Sequence, residues 1–305
     1  MGTPEFAVSS LRVLLERKYS DLSVVTAPDK PRGRGQEVTF SPVKKFALEN
    51  NIPLLQPENL KDPDFVASVR SLQPELIVVV AFRILPQEIY SIPSLGAFNL
   101  HASLLPKYRG AAPINWAIMQ GETETGVSTF FLQERVDTGS ILLQARVKIG
   151  SDETAGELHD KLAAVGAETV LQTVRLIELG KAKPRFQEDG QATPAPKIFK
   201  DDCKINWNNP SAKVHNFVRG LSPHPCAWTN HSGKVLKVYR TQLSPSDTTE
   251  SRTPGTVVEA DKKSLHVATQ GGTISILEIQ QEGKKRMGVE EFLRGYPLHR
   301  DDTFV

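Results

Sequence analysis

Leu76-Ile77-Val78-Val79-Val80 is apolar at five successive positions. A strand with one solvated face alternates in polarity. An uninterrupted run needs cover on both faces, as in a parallel sheet flanked by helices. The surrounding sequence supplies such partners. Phe6, Leu11, Leu14 and Leu15 fall at helical spacing within 4–18, and 22–26 is a short strand-like run. Ser41-Pro42-Val43 has the form of an N-cap followed by proline at the first helical position, opening a helix that reaches about Glu49. Helical patterning returns at 64–72, 114–119 and 154–179, and strand patterning at 97–101, 127–133 and 141–149. Alternation of this kind defines an α/β domain with a doubly wound parallel sheet. One feature departs from that scheme. Gly2-Thr3-Pro4 has the form of a turn after a first strand, yet no strand stands before it: either the chain starts late or the fold tolerates the loss.

From Lys181 to Lys200 the texture changes. Pro184, Gly190, Pro194 and Pro196 break a stretch with little periodicity, which reads as a linker. Beyond it, strand-like pieces at 235–239, 255–259, 265–269 and 273–279 are separated by turns, with helical patterning at 209–220 and 288–294. This is the pattern of a small β-barrel. The 305 residues are therefore expected to divide into a catalytic domain over 1–180, a linker over 181–200 and a second domain over 201–305. The net charge of +2 is too mild for nucleic-acid binding through the field of the whole protein, so any RNA contact must rest on local clusters. Cys203 and Cys226 are the two cysteines. They form no CxxC or Cys/His cluster, which argues against a disulfide scaffold and a metal site. No apolar run approaches the roughly 18 residues of a membrane helix, and the first residues lack the pattern of a signal peptide. A cytoplasmic enzyme without membrane contact is the expected class.

The richest chemistry lies in Asn99-Leu100-His101. Two residues apart on a strand, Asn99 and His101 share a face. They stand near the strand's carboxyl end, where open α/β sheets place ligands. An amide donor beside an imidazole suits acyl transfer, since the amide can bind a developing oxyanion and the imidazole can move or stabilise charge. A lone histidine at a strand end is also a common structural element, and an aspartate before Thr138-Gly139 is by itself a turn former.

Taken together, Asn99-x-His101-x-Ser103-Leu104-Leu105-Pro106, then Gly110, then Asp137-Thr138-Gly139 resembles the signature of the folate-dependent formyltransferases. The resemblance implies a Rossmann-like catalytic domain that uses 10-formyltetrahydrofolate as formyl-donor substrate, with no metal. It implies catalytic roles for Asn99, His101 and Asp137: Asn99 and His101 stabilising the oxyanion, and Asp137 holding His101 in orientation. It also implies folate contacts from Phe82, Arg83, Ile84 and Leu85, which match the family's pterin-holding segment, and from Ser103, Leu104, Leu105 and Pro106. Nearly the whole chain is similar to the branch of the family that acts on methionyl-initiator tRNA. The similarity runs through Gly2-Thr3-Pro4-Glu5-Phe6-Ala7, Pro28-Asp29-Lys30-Pro31-Arg32-Gly33-Arg34-Gly35, Ala195-Pro196-Lys197 and Gly283-Lys284-Lys285. For that branch Arg32, Arg34, Lys284 and Lys285 would contact tRNA, and the second domain would be an OB-fold-like barrel that helps hold it. A sugar-nucleotide N-formyltransferase is the alternative. It would keep the triad and a second domain but is expected to lack the Pro-Arg-Gly-Arg-Gly loop.

Overall fold

The computed structural model describes residues 1–19, 21–32, 37–244 and 252–305, and of 30–32 and 37–38 the backbone alone. By contacts the chain forms two units interleaved along the sequence: Met1–Gly110, Thr125–Val147 and His159–Ala195 in the first, and Ala111–Glu124, Lys148–Leu158 and Pro196–Val305 in the second. The expected linker therefore divides: residues through Ala195 belong with the first unit, and Pro196 onward with the second.

Up to Gly110 the chain forms α1 (Glu5–Glu16), β1 (Val24–Val25), β2 (Lys30–Arg32), β3 (Glu37–Thr39), α2 (Pro42–Glu49), β4 (Leu54–Leu55), α3 (Pro63–Ser71), β5 (Ile77–Val80), α4 (Gln87–Tyr90), β6 (Ala97–His101) and β7 (Arg109–Gly110). It continues through α5 (Pro113–Met119), β8 (Glu124–Phe131), β9 (Ile141–Lys148), α6 (Ala155–Glu178) and β10 (Pro194–Ala195). The signal at the start of α2 holds: Ser41 Oγ accepts from the Lys44 N–H at 3.0 Å, satisfying a first-turn donor. The main sheet runs in the order β5-β6-β8-β9. β6 lies parallel to β5 and antiparallel to β8, so the expected parallel sheet is present and carries an antiparallel pairing towards one end. Residues 102–123 leave and re-enter the sheet at one edge, and hydrophobic patterning marks a strand without fixing its direction. β2 and β3 pair as an antiparallel hairpin where a plain loop was expected.

β1 and β4 form a separate parallel pair. Residues 1 and 2 lie between it and β5. The Gly2 N–H donates to Val25 O at 3.0 Å, Met1 O accepts from the Val80 N–H at 2.9 Å, and the Met1 amine donates to Val78 O at 2.7 Å. Beneath these bonds is a cavity of about 480 Å³, walled by Val25, Ile77 and Val78 from the strands and by Leu14 and Val174 from α1 and α6. Burial there brings the Met1 amine down from 8.0 to about 5.

The second unit contains α5, α7 (Ser211–Leu221), β11 (Ala227–His231), β12 (Lys234–Leu243), β13 (Val257–Ala260), β14 (Leu265–Thr269), β15 (Gly272–Gln281), β16 (Met287–Gly288) and α8 (Val289–Gly295). Its antiparallel sheet runs β11-β12-β15-β14-β13. The C-terminal tail joins the two edges. Val305 exchanges backbone bonds with Asn230 beside β11, at 2.7 and 3.0 Å, while Phe304 N–H donates to Gly255 O and Val257 N–H to Asp302 O, each at 2.8 Å. Pairing both edges removes the exposed ladder that invites aggregation. Val214, Val218 and Leu221 of α7 pack with Leu236, Ile276 and Phe304 in one buried core. Among the described residues no helix is long and apolar enough to cross a membrane.

Candidate active site

β5 and β6 end side by side, with Val80 opposite Leu100. The two stretches singled out in the sequence therefore leave the sheet at the same edge: Phe82–Leu85 just after β5, and Asn99 and His101 at the end of β6. Asn99 is half-buried opposite Phe130 of β8. Among the described residues no group bonds its side-chain amide, so its N–H donors remain available to a ligand.

His101 is 6% exposed. Its Nε2 lies 2.8 Å from Tyr108 O. A carbonyl can only accept, so Nε2 carries the hydrogen, which turns Nδ1 towards Asp137. The Asp137 Oδ2 stands 3.8 Å from Nδ1 and accepts from the Gly110 N–H at 2.9 Å. Asp137 adopts φ 56, a left-handed conformation that an aspartate holds only when its surroundings favour it. Two glycines permit the close packing. A Cβ at Gly139 would lie 1.6 Å from Phe131 O, and one at Gly110, where φ is +127, would lie 2.6 Å from Ala195 O. The three catalytic expectations therefore converge: amide, imidazole and carboxylate gather at one sheet edge.

The other expectations fall in different places. Ser103 and Leu105 are buried in the turn after β6. Ser103 Oγ donates to Lys107 O at 2.6 Å and Leu105 N–H to Ser128 Oγ at 3.0 Å. Both shape the loop that carries Tyr108, while Leu104 and Pro106 are half-buried. Ile84 is 74% exposed and Leu85 is in the core. Arg83 is anchored, donating through Nη1 and Nη2 to Glu58 O and Pro57 O at 2.8 and 2.7 Å. Lys284 and Lys285 are exposed in the turn between β15 and β16. Arg34 and the Arg32 side chain lie outside the described residues. Among the described residues no cluster of His, Cys, Asp and Glu could hold a metal ion. Sequence reasoning missed the Tyr108 carbonyl, whose role is independent of side-chain type, and Gln187, which lies in a stretch with no periodic signal.

A family model described as formyl transferase matches residues 2–174, and one described as formyl transferase, C-terminal domain, matches 197–297. The chain belongs to the formyl transferase family. The methionyl-tRNA formyltransferase of Bacteroides thetaiotaomicron is 49% identical over 307 residues, which cover 98% of this chain and 95% of that protein. That of Porphyromonas gingivalis is 48% identical, covering 99% and 96%. Among solved structures, the sugar 3N-formyl transferase WlaRD superposes with a TM-score of 0.67 at 21% identity, covering 93% of this chain and 97% of that one. An N-formyltransferase from Helicobacter canadensis gives 0.65 at 20%, covering 90% and 96%. These two structures share the fold.

Proposed function

We infer that the chain transfers the formyl group of 10-formyltetrahydrofolate to the α-amino group of methionyl-initiator tRNA, in the cytoplasm, in preparation for translation initiation. The convergence of Asn99, His101 and Asp137 at the edge of β6 is the observation that carries this reading. Near-full-length identity of 47–49% to enzymes named for that reaction favours the acceptor.

The α-amine attacks as the neutral base, and such amines titrate at roughly 7.7–8.0. Its nitrogen bonds to the formyl carbon, and the carbonyl oxygen becomes an oxyanion. The side-chain N–H groups of Asn99 donate to that oxygen. The His101 ring, fixed through Nε2 by Tyr108, lies beside the same centre with Nδ1 turned to Asp137. The amine gives up a proton to this pair, directly or through a water, as the bond from the formyl carbon to the folate nitrogen breaks. The folate nitrogen takes a proton as it leaves, so protons balance over the cycle. At 3.8 Å the His101–Asp137 gap exceeds a hydrogen bond, and catalytic contacts of this kind tighten in the substrate complex. Phe82–Leu85 and Ser103–Pro106 flank the donor, while Lys284 and Lys285, with Arg32 and Arg34, meet the tRNA.

The test supplies 10-formyltetrahydrofolate with methionyl-initiator tRNA and, separately, with amino-sugar nucleotides. Formylation of the tRNA and not of the sugar nucleotide is expected. The reverse would assign the chain to the sugar-nucleotide branch.

A further inference from the structure

The stretch before Ala195 binds the active-site loops. Arg185 and Ile141 exchange two backbone bonds of 2.8 Å. Thr193 accepts from the Tyr108 N–H through Oγ1 and from the Arg109 N–H through its carbonyl, each at 2.9 Å. Pro194–Ala195 then pairs in parallel with Arg109–Gly110. Gln187 sits between. Its Nε2 donates to Asp137 O and Gly139 O, both at 2.8 Å. Its Oε1 accepts from Arg109 Nη2 at 2.7 Å and Nε at 3.1 Å. Arg109 is held further by Asp189, at 2.8 Å.

One side chain thus links two loops. One carries Asp137 in its left-handed conformation. The other supplies the Tyr108 carbonyl that fixes His101 and the Gly110 N–H that holds the Asp137 carboxylate. We propose that Gln187 is a positioning residue for the His101–Asp137 pair, and that residues 185–195 form part of the active-site scaffold. The proposal rests on the formyl-transfer reading above. The chemistry selects an amide: two N–H groups for two carbonyls, and an oxygen for a guanidinium. Glutamate has the reach and would pair with Arg109, but its carboxylate would face two carbonyl oxygens. Methionine has the length and bonds with neither partner.

The experiment measures single-turnover formyl transfer, KM for both substrates, folate binding and thermal unfolding in Gln187→Met and Gln187→Glu, each alone and combined with Asp137→Ala. A misplacement of about 1 Å at a reacting group costs on the order of 10²-fold. Each single variant should therefore lose roughly 10- to 100-fold in rate, while KM values and folate binding stay near those of the parent. In the Asp137→Ala background Gln187→Met should add no further loss, because groups acting as a unit are non-additive. Multiplicative losses, or rates equal to the parent in both single variants, would overturn the proposal. His101→Ala in the same assay separates the two readings. Full activity there would remove the proposed function itself, whereas a severe loss there with unaffected Gln187 variants would remove only the positioning role.

Discussion

The two units treat the edges of their sheets in opposite ways. In the second, the C-terminal tail pairs with both β11 and β13 and buries Phe304, at 2% exposure, between Trp207 and His231. In the first, β1–β4 and β5–β9 meet through the backbone of Met1 and Gly2 above a cavity of about 480 Å³. The candidate active site lies at the end of β6, where hydrogen bonds converge on Tyr108, Gly110 and Asp137. Catalysis and stability should therefore respond to different substitutions.

The largest expected effect is on the rate. His101→Ala and Asp137→Ala should each lower kcat by roughly 10²- to 10⁴-fold, and the double variant should be little worse than the more severe single. Unfolding of the first unit should shift little by comparison. Multiplicative rate losses would show that the two side chains act independently.

Next is the closed sheet. Phe304→Ala removes a fully buried ring from the tail that joins both edges, and should cost about 3–5 kcal/mol, read as a lower unfolding midpoint with an unchanged folate site. A loss below 1 kcal/mol would mean that the tail does not close the second unit.

The smallest effect belongs to the exposed turn. Lys284→Ala and Lys285→Ala should leave folding alone, each lowering the slope of log affinity for tRNA against log salt by about one. Unaltered salt dependence would return both to solvent.

The sequence was informative where local chemistry decides the outcome. The apolar run of β5, the Ser41-Pro42 cap of α2 and the Asn99/His101 pair of β6 each carry their own physical reason. What depends on distant partners was not legible. Ala227–His231 forms a strand, though Thr229, Asn230 and His231 give it little apolar signal. The antiparallel direction of β8 leaves no mark in its periodicity. Residues 185–195 look like a connection because their work is done by backbone pairing and by the two ends of Gln187.

The central claim is that Asn99 supplies the oxyanion donor in formyl transfer to methionyl-tRNA. The most direct measurement is the single-turnover rate of Asn99→Ala beside its folate affinity. Among the described residues the amide has no partner, so its removal should lower the rate roughly 10²- to 10³-fold while folate binding and unfolding stay close to those of the parent. A near-normal rate with intact folate binding would contradict the account and take Asn99 out of the reaction.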